Sequence, residues 1–118
     1  MIEPSKFVKC LSRNKINFFT GVPDSLFKGL CIYLEKNQKK NNFITANEGS
    51  SIGIAIGYYL AKKKLPLVYL QNSGLGNTIN PLISMANDKV YSIPLFLLIG
   101  WRGEIEKNKQ IKDEPQHK

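Results

Sequence analysis

Leu65-Pro66-Leu67-Val68-Tyr69-Leu70 is apolar throughout, and this stretch constrains the chain more than any other. A strand with one wet face alternates apolar and polar residues. A continuous apolar run instead marks a strand covered on both faces, as in a parallel sheet between helical layers. Further runs at Ile16 to Phe19, Phe43 to Thr45 and Pro94 to Ile99 alternate with helical patterns. Pro4 to Lys15 has a proline suited to a first turn and an apolar face of Phe7, Val8, Cys10 and Leu11. A second helix, capped by Asp24 or Ser25, extends to Asn37, a third spans Ser50 to Lys63, and a fourth spans Thr78 to Ala86. Strands alternating with helices predict parallel pairing through right-handed crossovers. The expected fold is therefore α/β, a three-layer parallel-sheet domain with helices on both faces. A chain of 118 residues predicts one domain. Residues 1–103 form its α/β body and 104–118 a polar C-terminal segment of the same domain.

The net charge of +8 and pI near 9.6 raise the question of an anionic partner. The lysines, however, fall in short runs, Lys39-Lys40 and Lys62-Lys63-Lys64, at helix ends, where they complement the helix dipole. No basic stripe is interleaved with aromatics, so no nucleic-acid partner is expected. The first residues lack the apolar run of a signal peptide, and Pro94 to Ile99 is far too short to span a bilayer. The expectation is a cytoplasmic protein with no membrane partner. Cys10 and Cys31 lie in apolar helical patterns and make no metal set with His117, so they read as buried free thiols and no metal ligand is assigned.

In a parallel sheet, ligands bind at the carboxyl ends of the strands. That edge receives Pro23-Asp24, Glu48, Gln71 to Asn77, and Trp101-Arg102. Glu48 stands where a strand hands over to a helix, beside free N–H groups and the positive end of a dipole. It is either a working carboxylate or an acid that merely suits the dipole. Arg102 is one of two arginines among 17 basic residues. Its planar fork suits a phosphate, phosphonate or carboxylate, or else lies on Trp101. Gly49, Gly53 and Gly57 form a small face for close packing, either internal or at a subunit interface. Gly74-Leu75-Gly76-Asn77-Thr78-Ile79 only partly matches a dinucleotide fingerprint, with Ile79 in place of the third glycine.

Several segments, in this order, resemble the pyrimidine-binding domain of thiamine-diphosphate-dependent 2-oxo acid decarboxylases. They are Phe18 to Leu26, Ala46-Asn47-Glu48-Gly49, Pro66 to Asn77, Tyr91 to Pro94, Leu98 to Glu104 and Asp113 to His117. Gly100-Trp101-Arg102-Gly103 and Asp113-Glu114-Pro115-Gln116-His117 are most similar to members acting on phosphonopyruvate; sulfopyruvate decarboxylases share the Gln71 to Asn77 type of loop. The resemblance implies that Glu48 is catalytic, hydrogen-bonding the aminopyrimidine N1′ of the cofactor. It implies that Pro23, Asn72, Ser73, Gly74, Leu75, Gly76 and Asn77 line the cofactor, and that Asp24 and His117 serve in proton transfer. Asp24, Arg102 and His117 would meet the substrate. In this family a second domain holds the diphosphate and Mg²⁺ through a Gly-Asp-Gly segment, which these 118 residues lack. Ile105 to Lys112 also departs from the family pattern. The resemblance thus implies a domain truncated at its C-terminus, working as a homo- or hetero-oligomer with a diphosphate-binding domain or subunit. Alone it would be inactive; assembled, it would convert phosphonopyruvate to phosphonoacetaldehyde and carbon dioxide. The alternatives are the small subunit of a sulfopyruvate decarboxylase and a non-catalytic module that only binds a partner.

Overall fold

The structure is a computed structural model and describes residues 3–103. Helix α1 (Pro4–Arg13) opens on Pro4 and buries Val8 and Leu11. Lys15, in a left-handed conformation (φ 63°), turns the chain toward strand β1 (Phe19–Gly21). A single 3-10 turn, Ser25–Phe27, leads into α2 (Lys28–Asn37). Strand β2 (Asn42–Ile44) and helix α3 (Glu48–Lys62) follow, then strand β3 (Leu67–Gln71). A 3-10 segment, Asn72–Thr78, runs into the short α4 (Ile79–Pro81) and a π-helical turn, Leu82–Ala86, before strand β4 (Phe96–Gly100).

The four strands form one parallel sheet in the order β2-β1-β3-β4. β3 shows why the apolar run had to be continuous. Leu67 and Tyr69 point to one face, where Val8, Leu11, Leu30 and Leu34 of α1 and α2 cover them. Val68 and Leu70 point to the other, against Ile52, Ala55 and Ile56 of α3 and Leu82 and Met85. The three-layer α/β expectation holds. Among the described residues, no helix is long and apolar enough to cross a membrane.

Boundaries shift where pairing overrides local pattern. Ile16 is buried against α1 and α2, but the ladder starts only at Phe19, whose N–H donates to Asn41 O at 2.8 Å. It continues through Gly21, which reads as a turn residue yet pairs on both sides. A side-chain carbon there would lie 2.1 Å from Tyr69 O, so only glycine allows this approach. The cysteine expectation also needs correction, since Cys10 is exposed and Cys31 only partly buried.

Tyr69 reaches across β1 to β2, its hydroxyl donating to Asn42 Oδ1 at 3.0 Å. Burial, with the neighbouring Cys31 adding, pushes its phenol up to about 12. The folded state therefore holds this proton to higher pH than the unfolded chain does. The resulting stability is complete below the unfolded value of about 10 and is lost as pH rises through about 12. Ultraviolet titration should show a late tyrosine step near pH 12, and Tyr69→Phe should remove that step. A Tyr69→Phe chain with an unchanged titration would refute the assignment.

Candidate active site

The chain leaves β1 through α2 on one face and leaves β3 through the 72–86 region on the other. β1 and β3 are neighbours, so the connections diverge above their carboxyl ends and open the rim there. Two polar corners flank this rim.

Glu48 organises the first. Asn47 caps α3, its Oδ1 accepting from Ser50 N at 2.9 Å, so the helix begins two residues before the expected Ser50 and takes Glu48 into its first turn. The Glu48 carboxylate accepts from Asn77 Nδ2 at 2.7 Å through Oε2. Its other oxygen lies against Gly74, where a side-chain carbon would come within 2.2 Å of Oε1. Gly49 is equally constrained, since a Cβ there would lie 2.9 Å from Asn77 O. The start of α3 thus rests directly on the 3-10 segment. The carboxylate is half-buried, fixed by one donor, and keeps lone pairs for another. Gly74→Ala should push Glu48 off Asn77 without unfolding the chain, seen as loss of the protected Asn77 side-chain amide signal. An unchanged amide signal in a folded Gly74→Ala chain would contradict this geometry.

Asp24 and Arg102 make the second corner. Arg102 Nη2 donates to Asp24 Oδ1 at 3.0 Å and also to Ser25 Oγ. The Asp24 side chain is 2% exposed and that of Arg102 26%. Asp24 Oδ2 is buried and, among the described residues, has no hydrogen-bond partner. Asp24 does stand at the N-cap position of the Ser25–Phe27 turn, but its side chain makes no capping bond. The carboxylate goes to Arg102 instead, which corrects the capping expectation. The Arg102 peptide is gripped by one side chain: Asn72 Nδ2 donates to Arg102 O at 3.1 Å, and Asn72 Oδ1 accepts from Arg102 N at 3.3 Å. Half-buried Cys31 lies nearby, its thiol pushed up mainly by burial, with the Asp24 charge adding to it.

Of the expected site residues, the structure joins Asp24, Arg102 and Asn72 in one network and Glu48, Gly74 and Asn77 in another. The 3-10 segment carries Asn72 at one end and Asn77 near the other, so it ties the two corners together. Ser73, Gly76 and Pro23 are exposed on the rim. Leu75 packs into the core beneath α3. His117 lies outside the described residues. Among the described residues, Gly53 and Gly57 have open space around them, so no internal contact there explains these two glycines. The parts that sequence reasoning missed are the Asn47 cap, the Ser25 hydroxyl and the grip of Asn72 on Arg102. Only the first had a local signal, an Asn directly before the helix.

A family model described as "Thiamine pyrophosphate enzyme, N-terminal TPP binding domain" matches residues 5–118. The chain is 34% identical over 99 residues to the sulfopyruvate decarboxylase subunit alpha of Methanococcus maripaludis, covering 84% of this chain and 58% of that protein. It is 32% identical over 117 residues to the phosphonopyruvate decarboxylase of Streptomyces hygroscopicus, covering 99% of this chain and 27% of that protein. The chain therefore spans little more than half the length of one relative and about a quarter of the other. Among solved structures, the benzoylformate decarboxylase of Polynucleobacter necessarius is similar in fold, with a TM-score of 0.68 and 21% identity over 88% of this chain and 19% of that one.

Proposed function

The chain belongs to the thiamine pyrophosphate enzyme family through its N-terminal TPP-binding domain, and we propose that it is the pyrimidine-binding half of a 2-oxo acid decarboxylase. (Thiamine pyrophosphate and thiamine diphosphate are the same cofactor.) The observation that carries this reading is the Glu48 corner. A half-buried carboxylate held by Asn77 and seated against Gly74 suits the aminopyrimidine ring, because it can share a proton with a ring nitrogen while staying fixed. When bound, the cofactor supplies the electron sink for loss of carbon dioxide. Glu48 orients the pyrimidine and holds or releases a proton at its carboxylate. The 3-10 segment shapes the wall beside it. Arg102 is the candidate for the distal anionic group of the substrate, and His117 remains a candidate for proton transfer.

The preferred substrate is phosphonopyruvate, giving phosphonoacetaldehyde. Sulfopyruvate is the second reading, favoured by the 34% identity to a sulfopyruvate decarboxylase alpha subunit. The diphosphate and Mg²⁺ are assigned to a diphosphate-binding domain or subunit, since this chain carries no Gly-Asp-Gly segment. Association with such a partner is supported by the outer side of α3, where Gly53, Ile54, Gly57 and Leu60 are all exposed. A charge-free outer face is unusual for a solvated helix.

Co-expression with a diphosphate-binding partner, followed by assay of both 2-oxo acids, tests the proposal. The complex should release carbon dioxide from one of them in a thiamine-diphosphate-dependent manner, and the chain alone should bind the cofactor weakly. A stable complex that retains cofactor yet decarboxylates neither acid would overturn the assignment.

A further inference from the structure

We propose that Asp24 is an internal competitor for Arg102, occupying the place on the guanidinium that an oxyanion of the substrate takes when it binds. This deepens the reading of the rim as a 2-oxo acid site and rests on it. Four observations carry the proposal.

The pair is asymmetric. Asp24 is sealed in, while Arg102 is the member that solvent and ligands can reach. An incoming anion therefore meets the guanidinium from outside and need not dislodge a buried arginine.

The pair is also incompletely satisfied. Asp24 has Oδ2 buried with no hydrogen bond among the described residues, and Gly100 lies so close that a Cβ there would be 2.7 Å from that oxygen. A carboxylate bound through one oxygen is a poorer ligand for an arginine fork than an anion that engages it at two. Asp24 thus holds the fork through one oxygen only, yet leaving it strands a buried charge, so the parent chain should bind anions more weakly than a chain without that charge.

The backbone beneath Arg102 is fixed independently of the pair. Asn72 holds both polar groups of the Arg102 peptide, so the guanidinium can change partner by side-chain rotation while the main chain stays put.

Finally, polar groups flank the exchange point. Ser25 Oγ already accepts from Arg102, and Asp24 and Ser25 also line a groove between α2 and β2 that carries Lys28 together with the opposing acid Glu35. The class of ligand is a small oxyanion, whether phosphonate, sulfonate or carboxylate.

The test uses the chain alone and simple anions. Methylphosphonate, methanesulfonate and acetate are titrated while the arginine Nε–H signals and the fluorescence of Trp101, the single tryptophan, are followed. Arg13, at the end of α1, supplies an internal control. The Arg102 signal and Trp101 emission should move with at least one anion while Arg13 stays put, and the anion that binds most tightly identifies the substrate's acid group. The Asp24 carboxyl carbon signal should move at the same concentrations. Asp24→Asn should tighten anion binding roughly tenfold, because a charged competitor has been removed. If Asp24 instead orients Arg102 for the anion, Asp24→Asn will weaken binding or leave it unchanged, and the proposal fails. Should Asp24→Asn not fold, the parent chain decides: an Arg102 signal that moves while the Asp24 carboxyl carbon stays fixed means that the anion adds to the pair without replacing it. No anion response at Arg102 also overturns the proposal. None of these readings needs cofactor or turnover, so their failure is separable from failure of the decarboxylase assignment.

Discussion

Glu48→Gln should lower turnover of the reconstituted complex by about 10² to 10⁴-fold while folding and cofactor retention survive. The glutamine carbonyl can still accept from Asn77 Nδ2, which holds the native carboxylate at 2.7 Å, so the side chain keeps its place. Its other terminus becomes an amide NH₂ lying against Gly74. That group can donate a hydrogen bond to a ring nitrogen, but it has no carboxylic proton to transfer to it or take back. The loss should thus fall on proton transfer and spare binding. An ordinary first-turn acid behaves differently, because its removal costs only about 0.3 to 1 kcal/mol of stability and leaves chemistry alone. Turnover and exchange of the cofactor C2 proton, both at saturating cofactor, separate the two. Parental rates in Glu48→Gln would reduce Glu48 to a helix-start acid and remove the basis of the site.

The fold was legible in the sequence because parallel sheets write their burial into one dimension. Leu67, Val68, Tyr69 and Leu70 can all be apolar only when both faces are covered, and alternating helix signals say what covers them. The place of Glu48 was legible for the same reason, since strand-to-helix junctions mark the functional edge. What could not be read was who holds whom across the rim. Asn77 and Glu48 are 29 positions apart, Asn72 and Arg102 30, and Asp24 and Arg102 78. No local pattern encodes such pairings; register decides them. β3 and β4 pair so that Gln71 lies opposite Gly100, and that register brings Asn72 against the peptide of Arg102. Asp24 shows the cost of local reasoning. A cap was the best use for an acid before a helix, until a distant arginine offered a charged partner. The glycine stripe fails in another way, because the sequence says where a helix can be approached closely and not whether anything in the same chain does so.

Arg102→Met should destabilise the chain by about 3 kcal/mol, because it strands a buried carboxylate without its counter-ion. The lower end of the usual range for breaking a buried pair applies, since the Arg102 side chain is 26% exposed and partly screened. On a domain of this size that corresponds to a fall of roughly 10 °C in Tm. Asp24→Asn should cost much less, about 1 kcal/mol, because the surviving Arg102 can turn to water and Ser25 while the amide keeps the shape of the carboxyl. The double variant Asp24→Asn/Arg102→Met should recover most of the loss seen in Arg102→Met, since no charge is then left buried. This asymmetry is the mark of a pair with one sealed and one open member. A surface ion pair would cost at most about 1 kcal/mol from either side, with no rescue in the double variant. Thermal and denaturant unfolding of the parent and the three variants gives the coupling directly. If Arg102→Met and Asp24→Asn prove equally mild, the pair is held only at the surface, and Asp24 is too weakly tied to Arg102 to compete there with a substrate.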